Sequence, residues 1–212
     1  NDLAALRAFY RWIKEGRYRE DDPTEDVRVK RTKQLPTEPL KGEELSAMLS
    51  VCTRERDRLI LLVLAYSGLR ISELAELRAE NIDWKQGLIK VRGKGDKERL
   101  IAPSPDVLGR LHAFLGMFAT GPIWLSKVQK RQLSAQQIRK IIYEVAERAR
   151  ITNVHPHRFR AFFATQYVEQ FADIQALQGM LGHESLETTA RYSEWTKQKR
   201  GIEQMKRFKI GA

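Results

Sequence analysis

The sequence predicts a mainly α-helical fold with a small antiparallel β-sheet, an α+β class. Three observations predict it. From Leu40, and again after Pro103, apolar residues recur at helical spacing. Between these stretches the pattern changes to two short strand-like runs around the turn-forming Gly93-Lys94-Gly95-Asp96. The composition, 42% hydrophobic and 31% charged over 212 residues, suits a chain that builds a core without metal or disulfide.

Residues 2–17 read as one amphipathic helix, with Leu3, Leu6, Tyr10 and Ile13 at helical spacing and Gly16 near the stop. Residues 18–38 have no period. They hold Asp21-Asp22-Pro23 and then a basic stretch from Val27 to Lys33, and read as an extended linker. Arg28, Lys30, Arg31 and Lys33 are candidates for phosphate contact there, against the alternative of a solvated tether. Helices are expected over 43–50 and 54–67, with Gly68 as a C-terminal cap, and a shorter one from Ser72. GLIKVR (87–92) and KERLIA (97–102) form a hairpin, to which 82–84 adds a third short strand. Helices follow at about 105–116, 134–149, 156–170, 173–181, 185–192 and 197–208. There is no internal repeat.

Several classes are excluded. A lone Cys52 cannot make an internal disulfide framework, which argues against a secreted scaffold and for a reducing, cytoplasmic setting. No apolar run reaches the roughly 18 residues of a membrane span, and NDLAALRAFY is no signal peptide. The chain lacks an initiator Met and is expected to be a fragment of a longer protein. A net charge of +11 points to a polyanionic partner, most simply nucleic acid.

Some residues could carry chemistry. In HPHRFRAFFAT, His157 and Arg160 lie three apart on a helix that opens near Pro156, so they share a face. Both are expected to point to solvent at the positive end of that helix, as a phosphate site; a surface helix with a capping histidine is the alternative. Arg70 follows the helix-ending Gly68, held at a turn, and its planar fork matches two phosphate oxygens. Glu73, three residues on, can hold Arg70 by an ion pair. Lys94 at a hairpin tip can reach into a groove and donate a proton where neighbouring cations lower its pKa. His183 follows Leu181-Gly182, and Tyr192 closes the run TTARY. Singly, each has an ordinary reading: a surface arginine, a solvated turn lysine, a loop histidine, a half-buried tyrosine.

Order and spacing together carry more. SGLRISELAEL, KVRGKGDKERLIA, HPHRFRAFFATQYVE and LGHESLETTARYS, within roughly residues 40–196, resemble the tyrosine recombinases, the lambda-integrase and Xer-like site-specific recombinases. The resemblance implies their catalytic-domain fold and their residue roles. Arg70 and Arg160 would grip the scissile phosphate. Lys94 would be the general acid for the leaving oxygen, and Tyr192 the nucleophile. His157 would be the first histidine of the HxxR motif, His183 the histidine after the leucine–glycine pair, and Glu73 a supporting acid. Many relatives carry a second histidine directly after HxxR, where Ala161 stands here.

The implied organisation is a remnant of an upstream core-binding domain at 1–20, a linker at 21–38, a catalytic domain at 39–196 and a C-terminal helical tail at 197–212. The implied reaction gives a 3′-phosphotyrosine and a free 5′-hydroxyl, and a second 5′-hydroxyl reseals the strand without metal, ATP or other cofactor. Double-stranded DNA is the implied partner, with self-association into a tetrameric synapse through the tail, no membrane, and a nucleoid-associated location. The tail carries six cations against Glu203 and an apolar stripe of Ile202, Met205 and Phe208.

Elementary chemistry agrees with those roles. Fixed cations stabilise the charge that gathers on a phosphodiester at its transition state. A tyrosine is mostly a phenol at neutral pH, and a cationic cluster favours its phenolate. A two-metal nuclease would need convergent carboxylates, and Glu73 is the only obvious acid near these residues. Charge also marks a DNA surface: residues 127–150 hold seven cations and residues 84–99 hold six. Arg92, Lys97, Lys127, Lys130, Arg131, Arg139 and Lys140 are candidate phosphate contacts, and Arg99 falls in the same set. The helix from Ser134 could enter a major groove, with Ser134, Gln136, Gln137 and Arg139 able to read base edges. The alternatives are a type IB topoisomerase-like activity, a DNA-binding regulator with a dormant site, and a metal-independent ribonuclease using His157 and Lys94.

Overall fold

ERDRLILLVLAYS has no polar stripe beyond its first turn, so a helix made from it must be buried nearly all round. That helix sets the layout. In a computed structural model, which describes residues 2–27, 37–93, 98–116, 119–126 and 130–182, it spans Glu55–Ser67 (α3), and Leu59 through Ala65 are each at most 8% exposed. Five helices pack against it: α2 (Gly42–Ser50), α4 (Ile71–Ala75), α5 (Pro105–Leu115), α6 (Ala135–Arg148) and α7 (Pro156–Phe171). Their inward residues, among them Met48, Leu74, Leu111, Ile138, Ile142 and Phe159, complete one core.

The helix ends follow local rules. Ser104 caps α5 ahead of Pro105, and Ser134 and Gln137 close a reciprocal capping box on α6. Asp173 caps the last described helix, α8 (Ile174–Leu181), which ends at Gly182 with φ +60°. α8 packs on α7 through a small apolar cluster of Ala164, Val168, Leu177 and Leu181.

The sheet is antiparallel, in the order β1 (Ile82–Asp83), β2 (Leu88–Arg92), β3 (Glu98–Ile101). Ile89 lies opposite Ile101, and Val91 opposite Arg99. Ile89, Val91 and Ile101 are buried, whereas Lys90, Arg92 and Leu100 face out. Every helix and strand expected between residues 40 and 182 forms within one residue of its expected bounds, and a 3-10 turn at Ala79–Asn81 adds to them. The expected helices at 185–192 and 197–208 lie outside the described residues.

The chain divides into two compact units, 1–35 and 36–212. The first contains α1 (Asp2–Glu15), with Arg7 donating to the Val27 carbonyl at 2.7 Å and Trp12 stacked on Tyr18 at 5.8 Å.

Candidate active site

The ends of α3 and α8, the start of α7 and the strand β3 meet at one place. α3 stops at Gly68, whose φ of +65° turns the chain so that Leu69 returns to the core and Arg70 becomes the N-cap of α4. A Cβ at Gly68 would lie 2.5 Å from Phe163 Cδ1 and 2.8 Å from Leu181 Cδ2. Glycine is therefore required there both by the left-handed backbone and by α7 and α8 closing over the turn.

Arg70 is held on two sides. Its backbone N–H donates to Glu73 Oε2 at 2.7 Å and its Nη1 to Glu73 Oε1 at 3.0 Å. Its Nη2 donates to the carbonyl of Gly182 at 3.1 Å, and the side chain stays 37% exposed. The expected Arg70–Glu73 pair therefore forms, with Glu73 buried at 5% exposure.

Glu73 has a second partner that sequence reasoning misplaced. Arg99 donates to it through both Nη atoms, at 2.9 and 2.8 Å, and its Nε donates to the Met180 carbonyl at 2.7 Å. The expectation that Arg99 contacts phosphate is corrected: its side chain is only 12% exposed. The physical reason is strand alternation. Ile101 points into the core, so Arg99, two residues back, points the same way, and a cation on that face needs a buried acid. That signal was present in KERLIA. Burial pushes the Glu73 carboxyl up, but the Arg99 hydrogen bonds, the Arg70 N–H, the charge of Arg99 and the Arg70 side-chain hydrogen bond outweigh it and hold Glu73 below its ordinary value.

Arg160 is also corrected. It does not face solvent beside His157; it is 4% exposed. Its Nη1 donates to the Gly68 carbonyl at 2.6 Å and its Nη2 to the Leu181 carbonyl at 2.5 Å. α7 is buried on most of its circumference, between α3 and α8, so a residue one turn from its start already lies between the ends of those two helices. Ala161, beside it, is fully buried.

His157 remains exposed. Desolvation, then the charges of Arg160, Arg139 and Arg70, lower its pKa from the ordinary imidazole value. His155, at the N-cap of α7, lies 6.4 Å from it ring to ring and is lowered by burial and by His157. Arg70, Arg160 and His157 thus come together, with Arg139 of α6 close enough to act on His157. Such a cluster can hold and polarise an anion such as a phosphodiester.

Lys94, His183 and Tyr192 lie outside the described residues, as do Arg28, Lys30, Arg31, Lys33, Lys97 and Lys127. Of the remaining candidates for DNA contact, Lys130, Arg131, Gln136, Arg139 and Lys140 are exposed; Lys140 pairs with Glu144 at 3.8 Å. Arg92 is exposed beside Glu98, which also pairs with Lys90 at 2.7 Å. Ser134 and Gln137, expected as possible base readers, accept with their side chains at the N-terminus of α6, at 3.2 and 2.9 Å, because the first N–H groups there need partners; both stay exposed. Among the described residues no group of three His, Cys, Asp or Glu could hold a metal ion, and no helix is long and apolar enough to cross a membrane.

Comparison with known proteins fits this geometry. Residues 38–199 match the model of the phage integrase family. The chain is 36% identical to the tyrosine recombinase XerA of Thermococcus kodakarensis over 202 residues, covering 92% of this chain and 69% of that protein. It is 32% identical to the tyrosine recombinase XerC of Syntrophus aciditrophicus over 209 residues, covering 90% and 67%. Its fold is similar to that of the Tn1549 transposon integrase, solved in complex with a circular intermediate DNA, with a TM-score of 0.71 at 19% identity, covering 91% of this chain and 73% of that one.

Proposed function

The chain belongs to the phage integrase family and is a tyrosine-type DNA strand transferase, and from that premise we propose that it breaks and rejoins DNA through Tyr192. The observation that carries the assignment of the site is the meeting of Arg70 and Arg160 at the junction of Gly68, Leu181 and Gly182, one residue before His183. Arg70 offers a scissile phosphate an exposed guanidinium whose direction is already set, and the buried Arg160 adds a fixed positive charge beside it, the form of electrostatic stabilisation that lowers a barrier most. His157 adds a hydrogen-bonding group beside them.

In the proposed step the Tyr192 phenol gives its proton to a base or water, its oxygen attacks phosphorus and the bond to the 5′ oxygen breaks. Lys94, between β2 and β3 in the sequence, gives its proton to that leaving oxygen. The ester energy is kept in the 3′-phosphotyrosine, so a 5′-hydroxyl from either duplex reverses the step, and Tyr192 recovers its proton. The substrate is double-stranded DNA, which the α6 face of Gln136, Arg139 and Lys140 and the outer side of the hairpin at Arg92 engage through the backbone. Residues 1–20 act as the last helix of an upstream core-binding domain, 21–38 as the linker, and 197–212 as the segment through which protomers join in a tetrameric synapse. The working location is the nucleoid.

Adduct trapping tests this. The protein is incubated in EDTA with a pool of nicked duplex fragments of host DNA, denatured in SDS and assayed for DNA bound covalently. The expected result is an adduct that survives EDTA and is lost in Tyr192→Phe. An adduct that persists in the variant removes Tyr192 as the nucleophile.

A further inference from the structure

Resting on the strand-transfer reading, we propose that Arg99 is a positioning residue of the reaction: it neutralises the buried Glu73 so that Arg70 keeps its charge for the phosphate. A carboxylate accepts about four hydrogen bonds, two per oxygen. At Glu73 all four places are filled. Oε1 takes Arg70 Nη1 and Arg99 Nη1, and Oε2 takes the Arg70 N–H and Arg99 Nη2. Arg99 holds the carboxylate with both prongs of its fork, the strongest pairing an arginine makes, while Arg70 offers Glu73 only one prong. Glu73 therefore sets the direction of Arg70 while its charge is met by Arg99. The three groups together carry one net positive charge, and it lies on the more exposed side chain: Arg70 is 37% exposed, Arg99 12% and Glu73 5%.

Arg99 also ties three parts of the site to one another. It stands on β3, the strand that follows Lys94 in the sequence. It binds Glu73 on α4, and its Nε holds the Met180 carbonyl in the last turn of α8, just ahead of His183. A Cβ at Gly182 would lie 3.3 Å from Arg99 Nη1, so the glycine that ends α8 lets this guanidinium pass. Without Arg99, Glu73 has only Arg70 to pair with. Arg70 then turns its fork inward, and its charge is spent on the carboxylate.

The test is a double-substitution cycle on single-turnover adduct formation, using the DNA fragment recovered by trapping. Arg99→Met is expected to slow adduct formation by roughly a hundredfold, the scale of an angstrom-size misplacement, while the affinity for that fragment changes by no more than about threefold, since phosphate contacts elsewhere dominate binding. Glu73→Gln added to Arg99→Met removes the unpaired carboxylate and is expected to restore at least about tenfold of the rate. A double variant no faster than Arg99→Met, or an Arg99→Met protein as fast as the parent, overturns the proposal. Thermal melting verifies folding. Should Arg99→Met not fold, Arg99→Gln keeps a hydrogen-bond donor but loses the charge, and a parental rate in it overturns the proposal equally. The parent's Tyr192-dependent adduct is the reference. Its absence removes the strand-transfer reading and this inference together, whereas a normal parental adduct with an unaltered Arg99 variant removes only the role of Arg99.

Discussion

Glu73 is held by two arginines and a backbone N–H while nearly excluded from water, and its acid behaviour follows. Its native pKa lies below the ordinary value near 4.3. Ionised Glu73 therefore stabilises the fold fully above that value. As pH falls below it the unfolded chain takes the proton first, and the contribution is lost as pH passes down through the native pKa. Glu73→Gln is expected to cost about 3 kcal/mol near neutral pH, the scale of breaking a buried ion pair. The gap from the parent should hold from about pH 7 to pH 5 and narrow below about pH 4. Urea midpoints at a series of pH values measure it, and a gap that stays constant into acid contradicts the pairing. At this scale much of the site was legible. Arg70, Glu73, His157 and Arg160 stand out because residue type and spacing are local properties. The depth of Arg160 was not, because it depends on α8 docking over α7, a contact between segments with no shared pattern. Arg99 was legible through strand alternation, and its charge drew the reading toward DNA instead.

α4 is only five residues long, too short to persist on its own, yet it presents Arg70 and Glu73. Its neighbours hold it. The buried Trp124 Nε1 donates to the Leu74 carbonyl at 2.7 Å, and Gln132 Nε2 donates to the Ala75 carbonyl at 2.8 Å, so two carbonyls at the end of the helix take hydrogen bonds from side chains more than 45 residues away. Trp124→Phe keeps an aromatic ring but removes that donor and some volume. It is expected to cost roughly 2 kcal/mol and to slow adduct formation while the protein is still folded. A lower urea midpoint with an unchanged single-turnover rate would show that α4 keeps its place without this bond. Helices and strands between 40 and 182 were legible because caps, glycine stops and apolar period agree with one another there. The tryptophan and glutamine anchors were not, since nothing in a sequence pairs a distant indole with one carbonyl.

Over the whole molecule the surplus of positive charge sets how DNA is engaged. If the exposed α6 face meets the phosphate backbone, each lost cation reduces the salt dependence of binding by about 0.9 in the log–log slope. Arg139→Gln with Lys140→Gln is expected to reduce it by roughly 2, read from fluorescence-anisotropy titrations of a duplex between about 50 and 200 mM salt. An unchanged slope places this face away from the DNA. The fold class and family were legible at this scale because four motifs occur in order across most of the chain. The packing of β3 against α8 was not, although it is what joins the sheet to the rest of the site. One feature also governs how the protein can be disarmed. Arg160 is bound to carbonyls at the ends of α3 and α8, and the end of a helix carries partial negative charge from its aligned peptide dipoles. The guanidinium is thus a strut between two negative poles, whatever part it takes in the proposed chemistry. Replacing it with an uncharged residue leaves both poles facing each other in a buried space, so an inactive Arg160 variant reports on folding as much as on chemistry. A clean loss-of-function protein is better made at the nucleophile.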